Sequence, residues 1–172
     1  MSLRRKKIAI LVEQDYQDQE VWYPYFRLTE EGAQISLVAP KAGQVYRSKH
    51  GYPITSNLSS FAALRKKFDA VIIPGGWAPD FLRRDPNMAK LVRKVHSDGG
   101  VVAAICHGGW MLVSADILHG KTATSFFAIK DDMVAAGAQW VDRETVKDGK
   151  LITARRPEDL PTFVRTIIEA LL

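Results

Sequence analysis

One residue type occurs once in this sequence and stands where reaction is favoured: Cys106, in Ala104-Ile-Cys-His-Gly-Gly109. It follows a run that reads as a buried strand and precedes a stretch that reads as a helix. A sharp strand-to-helix turn projects its central side chain outward, and the glycines let neighbouring backbone come close. A helix N-terminus favours negative charge, so the expectation is a thiol of depressed pKa, richer in thiolate at neutral pH. This is the thiol analogue of a serine nucleophile elbow, although the motif is not G-x-S-x-G. The other reading is a cysteine packed as a small hydrophobe. His107 can be base, acid or imidazolium partner to the sulfur, or a capping or surface residue.

Two further stretches belong beside this one. Pro74-Gly75-Gly76 ends another apolar run, and its glycines could aim backbone N–H groups at an oxyanion, or simply make a tight turn. Asp80 follows in Trp77-Ala-Pro-Asp80, where its plain reading is a helix N-cap. Glu13-Gln-Asp-Tyr-Gln-Asp-Gln-Glu20 is rich in carboxylates and carboxamides. No histidine or cysteine converges on it, so no metal is expected. Neither G-x-G-x-x-G nor a P-loop occurs, so no cofactor is expected. His50, His96 and His119 lack ligand spacing and read as structural.

The elements that must position these residues follow from the apolar pattern. Lys7–Val12, Gln34–Ala39, Ala70–Ile73 and Val101–Ile105 read as strands, the apolar runs among them as strands buried on both faces. Helical spacing marks Val21 to Leu28, ending at Gly32, with Pro24 predicting a kink or a later start. Asp85-Pro86 opens another helix that Gly99-Gly100 closes. Val45–Ser56 resembles a hairpin, and Ser59 or Ser60 caps a short helix to Phe68. A helix runs through Trp110 to Val113, a short strand covers Thr122–Ser125, and a helix surrounds Ile129 to Ala136. Gln139 to Ala154 reads as a hairpin turning at Asp148-Gly149. The last helix starts near Pro157, with Leu160, Phe163, Val164, Ile167, Ile168 and Leu171 on one face. Strands alternating with helices predict an α/β domain with a mostly parallel sheet. In such sheets the site lies beyond the carboxyl ends of the strands, here residues 13–18, 74–80 and 106–109.

Composition narrows the field. With 172 residues, 47% apolar and 25% charged, one globular domain spanning 1–172 is expected, which excludes disordered and collagen-like chains. A single cysteine excludes an internal disulfide framework and any zinc site built on several cysteines, and it favours a reducing, cytoplasmic setting. No apolar run approaches the ~20 residues of a membrane span, so no membrane partner is expected. The net charge is +5, but Arg4 to Lys7 supply four of those charges. Residues 1–6 therefore read as a solvated basic tail, which makes nucleic acid a disfavoured partner.

Several stretches resemble the PfpI-type intracellular protease family, within the superfamily of the Parkinson-associated deglycase. They are Tyr23-Pro-Tyr25, Arg27-Leu28, Glu30-Glu-Gly32, Ile73-Pro-Gly-Gly76, Ala78-Pro79, Ala104-Ile-Cys-His-Gly108 and Thr124-Ser125. Ile129-Lys-Asp-Asp-Met133, Ala136-Gly137, Trp140-Val-Asp142 and Arg156-Pro157 extend the match over nearly the whole chain from Lys7. The resemblance implies a flavodoxin-like three-layer sandwich and a homo-oligomer, dimer or hexamer, with the site possibly shared between subunits. It implies Cys106 as nucleophile and His107 as its partner. Asp80 matches a position where the family usually has a glutamate reaching from a neighbouring subunit. Gly75, Gly76 and the backbone after Cys106 match oxyanion positions.

Two departures stand out. Aligning Tyr23-Pro-Tyr25 puts Gln17 where the superfamily has a glutamate bonded to the cysteine; a neutral amide cannot shuttle a proton and should leave the cysteine pKa lower. Asp15, Asp18 or Glu20 could supply the lost carboxylate from the same loop. The family's Thr-Ser-Tyr reads Thr124-Ser125-Phe126, losing a hydroxyl near the substrate position. The expectation is a cysteine-dependent hydrolase acting on a peptide or a small carbonyl compound. The alternative is a non-enzymatic stress or redox-sensing protein with an oxidisable Cys106.

Overall fold

The computed structural model describes residues 3–172. The first apolar run forms β1 (Lys7–Leu11), followed by α1 (Asp18–Glu30) and β2 (Gln34–Ala39). A hairpin of β3 (Val45–Arg47) and β4 (Pro53–Thr55) precedes β5 (Leu58–Ser59) and α2 (Ser60–Ala63). Next come β6 (Ala70–Ile73), α3 (Ala78–Leu82), α4 (Pro86–Ser97) and β7 (Val101–Ile105). A 3₁₀ turn, Cys106–Gly108, leads into α5 (Gly109–Ala115). The chain continues through β8 (Thr122–Ala123), α6 (Lys130–Ala135), β9 (Gln139–Trp140), β10 (Thr145–Asp148), β11 (Leu151–Ala154) and α7 (Leu160–Leu171).

Seven strands form the central sheet in the order β10-β11-β7-β6-β1-β2-β5, parallel except for β10. The residues of β6 and β7 are all buried, as expected for strands covered on both faces. α1 packs with α7, whereas α4 packs with α2 and α5, so helices cover the sheet from two groups. The strand order reverses at β1, which runs out to β2 on one side and is joined by β6 on the other. Loops leaving the carboxyl ends of β1 and β6 therefore part there, opening the crevice in which such sheets place their sites.

Three sequence expectations are corrected. Residues 3–6 are not a solvated tail: Leu3 is fully buried, its N–H donates to the Glu31 carbonyl at 2.8 Å, and Lys6 donates to the Leu3 carbonyl. The hairpin read over 139–154 is shorter, because β9 pairs in parallel with β8 instead of continuing β10. The Asp148 carboxylate ties these two pieces together by accepting from the Thr122 N–H at 2.9 Å. Pro24 neither ends α1 nor delays it; the helix starts six residues earlier, and the proline is buried inside it. Lacking an N–H, Pro24 cannot bond the carbonyl four residues back, which belongs to Glu20.

Candidate functional site

Cys106 lies at the end of β7, where the parallel ladder stops and the chain turns sharply. Its φ of +61° is a left-handed conformation that L-residues seldom adopt. Such strain persists only where the surroundings over-determine it. Here Gly108 lets the turn sit against β6: a Cβ at that position would stand 2.5 Å from the Ile73 carbonyl oxygen. The loop after β1 is laid over the glycine turn by two backbone hydrogen bonds, which together make a β-bridge. Trp77 N–H donates to Asp15 O at 2.9 Å and Gln17 N–H donates to Gly75 O at 3.3 Å, so that Tyr16 bridges Gly76. The three strand ends singled out from the sequence thus meet.

Gly76 illustrates how little room this leaves. Its φ is +69°, and a Cβ there would lie 2.4 Å from Asp15 O and 2.6 Å from Gln17 N. All of these neighbours are backbone, so the loop would have to move. Gly76→Ala is expected to cost about 2–4 kcal/mol of stability in urea unfolding, combining left-handed strain with overpacking.

The carboxylate at the sulfur comes from Glu20, not Gln17. Glu20 is fully buried in the first turn of α1, and its Oε2 accepts the Gly75 N–H at 2.6 Å. The same carboxyl lies beside the Cys106 side chain: a Cβ on Gly75 would stand 2.8 Å from both Glu20 Oε2 and Cys106 Cβ. Its other oxygen, Oε1, has no N–H or O–H donor among the described residues. Burial pushes the Glu20 carboxyl up to about 7, against the lowering influence of the Gly75 N–H. Gln17 sits at the N-cap of α1 and lines the cleft instead.

The expectation of a depressed cysteine pKa is likewise overturned. Burial and the adjacent Glu20 charge push the Cys106 thiol up to about 12, against the backbone N–H groups of His107 and Gly76 that point to it. A 3₁₀ turn separates the sulfur from the short α5, so no long helix offsets these effects. The pair is best described as two acids sharing protons in steps. Below about pH 7 it holds two, and above that value it holds one, which Glu20 and Cys106 share.

His107 is half-buried, with Nδ1 3.3 Å from the Cys106 Sγ. Burial, and then the positive charge of Lys49, lower its pKa, so the ring is neutral at pH 7. Phe126 stacks on it with centroids 5.0 Å apart, Trp110 meets it edge-on at 5.3 Å, and Trp77 lies at 5.7 Å. Phe126 is held there by its N–H, which donates to the Cys106 carbonyl at 3.2 Å.

Two other assigned positions behave differently from expectation. The Gly75 N–H is taken by Glu20, so it is not a free oxyanion donor; the N–H groups of Gly76 and His107 face the sulfur in its place. Asp80 lies inside the first turn of α3 instead of capping it, and pairs with Arg84. Sequence reasoning also missed Lys49 and Arg156, which line the cleft from exposed loops where no periodicity marks them. The cleft encloses about 290 Å³ over Cys106 and His107. Among the described residues no three His, Cys, Asp or Glu side chains converge as metal ligands, and no helix is long and apolar enough to cross a membrane.

Comparison with known proteins agrees with this fold. Residues 6–170 match the model of the DJ-1/PfpI family. The chain is 39% identical over 165 residues to "Deglycase PfpI" of Pyrococcus furiosus, covering 96% of this chain and 99% of that one. It is 35% identical over 168 residues to "Protein/nucleic acid deglycase 2" of Escherichia coli, covering 96% and 98%. A crystal structure of a two-domain protein with DJ-1/ThiJ/PfpI-like and ferritin-like domains, from Anabaena variabilis, superposes with a TM-score of 0.95 at 40% identity. That match covers 97% of this chain and 48% of the other.

Proposed function

The chain belongs to the DJ-1/PfpI family, and on that premise we propose that it is a cysteine-dependent hydrolase of carbonyl-derived groups, acting on α-oxoaldehydes and their amine adducts. The observation that carries this reading is the buried Glu20 carboxyl placed beside the Cys106 thiol. The names of the two relatives point the same way.

An amine adduct first collapses, releasing the amine and a free α-oxoaldehyde. Cys106 Sγ adds to the aldehyde carbon: an S–C bond forms, and the carbonyl oxygen takes up the electron pair and then a proton. The N–H groups of Gly76 and His107 stabilise that oxygen as charge develops. Glu20 takes the proton from the same carbon and delivers one to the neighbouring carbon, while the hydroxyl proton passes to the neighbouring carbonyl oxygen, turning the hemithioacetal into a thioester of a 2-hydroxy acid. Water, activated by neutral His107, cleaves the thioester and restores the thiol. The net change is addition of one water, with one carbon oxidised and its neighbour reduced, so no external oxidant or reductant enters. A homo-oligomer in which Asp80 of a second copy orients His107 completes this reading.

The non-enzymatic alternative drew support from the apparent loss of the carboxylate at Gln17. With Glu20 beside the sulfur, that part of its support is gone, and the hydroxyl missing at Phe126 is what it retains. Peptide hydrolysis needs no proton transfer between two carbons and would leave Glu20 without a role. The deciding assay follows 2-hydroxy acid and free amine released from the methylglyoxal adduct of Nα-acetyl-lysine amide, beside cleavage of a peptide amide. Cys106→Ala is the blank. Wild-type release no faster than that blank overturns the assignment.

A further inference from the structure

We propose that the cleft selects carbonyl substrates bearing an anionic group, a carboxylate or a phosphate ester, which Lys49 and Arg156 hold beside the sulfur. This deepens the preceding reading and rests on it for the identity of the reacting carbon. Among the described residues of one chain, the charged side chains on the cleft wall are these two cations, and the carboxylate of a second copy's Asp80 would be engaged with His107. Glu20 belongs behind the sulfur and is fully buried.

The two cations arrive from separate loops, Lys49 from the β3–β4 hairpin and Arg156 from the segment after β11. Backbone geometry fixes where Lys49 stands, because its N–H donates to the Tyr16 carbonyl at 3.0 Å. Its ammonium makes no salt bridge among the described residues, yet its charge reaches both His107 and Glu20. Arg156 contrasts with its neighbour. Arg155 is committed to Asp142 at 2.8 Å and Asp159 at 2.9 Å, a structural clamp. Among the described residues Arg156 has only Glu158, at 3.8 Å between two exposed side chains, which leaves its guanidinium donors for a ligand. Trp77 and Phe126 supply apolar wall in the same cleft. A cleft of one sign with low-dielectric walls concentrates oppositely charged small molecules.

The single cysteine permits a test that does not depend on turnover. Iodoacetate and iodoacetamide alkylate the same thiolate, forming the S–C bond and expelling iodide, so the ratio of their rates cancels the thiolate fraction. Relative to an unstructured peptide with one cysteine, that ratio at Cys106 is expected to be about tenfold higher, and to collapse at high salt. Lys49→Gln and Arg156→Gln should each lower it several-fold, whereas Arg156→Lys retains part of it and the distant Lys66→Gln leaves it unchanged. Circular dichroism establishes that each variant is folded. Protection against iodoacetamide by inorganic phosphate or by acetate tells a phosphate-ester preference from a carboxylate one.

A ratio equal to that of the free peptide, or one insensitive to both Gln variants, overturns the proposal, as does protection by neither anion. A raised, charge-dependent ratio in a protein that turns over no carbonyl compound supports the anion site while overturning the enzymatic assignment.

Discussion

Glu20→Gln is expected to lower turnover of an α-oxoaldehyde by about 10²–10⁴-fold, the range associated with losing a positioned proton-transfer group. The glutamine retains an oxygen for the Gly75 N–H, so the glycine turn and the elbow keep their scaffold. What it loses is the ability to accept the proton from the adduct carbon and return it one carbon further on. The distinguishing readout is the pH profile of Cys106 alkylation by iodoacetamide. In the wild type, reactivity should rise as the pH passes about 7, where the Glu20–Cys106 pair gives up the first of its two protons. In the variant that step disappears, and alkylation follows a single thiol ionisation. A variant with reduced turnover but an unchanged step near pH 7 would show that Glu20 is only scaffolding.

The same substitution should stabilise the fold at alkaline pH. Folding raises the Glu20 carboxyl from 4.5 to about 7, so between those values the native state binds more protons than the unfolded chain. Stability then falls as pH rises through that window and stays low above it. The gap corresponds to about 3 kcal/mol at pH 8, and removing the carboxylate removes the loss. Urea unfolding at pH 8 should find Glu20→Gln more stable than wild type by up to that amount. At pH 4 the wild-type Glu20 carboxyl is mostly protonated in the folded and the unfolded state alike, and the advantage should nearly vanish. Equal stability at both values would mean that Glu20 carries no desolvation cost.

Why Glu20 was harder to read than Cys106 has a physical answer. The cysteine announces itself locally, by ending an all-buried strand and meeting two glycines, and the buried strands β1, β6 and β7 are legible from apolar runs alone. Glu20 is polar, and it lies one helical turn from Gln17, so a motif offset of three residues moves the assignment to the wrong side chain. A usable signal was present. Glu20, Pro24 and Leu28 recur at four-residue spacing and share the buried stripe of α1 with Val21. Extending that stripe backwards from Leu28 puts a carboxyl on an apolar face. Lys49 and Arg156 leave no such trace, since only the tertiary arrangement brings two exposed loops over one thiol. The β8–β9 pairing was likewise hidden, because two-residue strands carry no period.

Pro24 has a bearing on how the site exchanges protons with water. The carbonyl it leaves without a helical donor is that of Glu20, so the turn carrying the carboxyl lacks one rung of its own ladder. Amide exchange should therefore begin in that turn sooner than in the rest of α1. Each brief fraying admits water to a carboxyl that the closed form keeps dry. The proline thus offers the acid a route to solvent through backbone breathing, beside the one through Cys106 and the cleft.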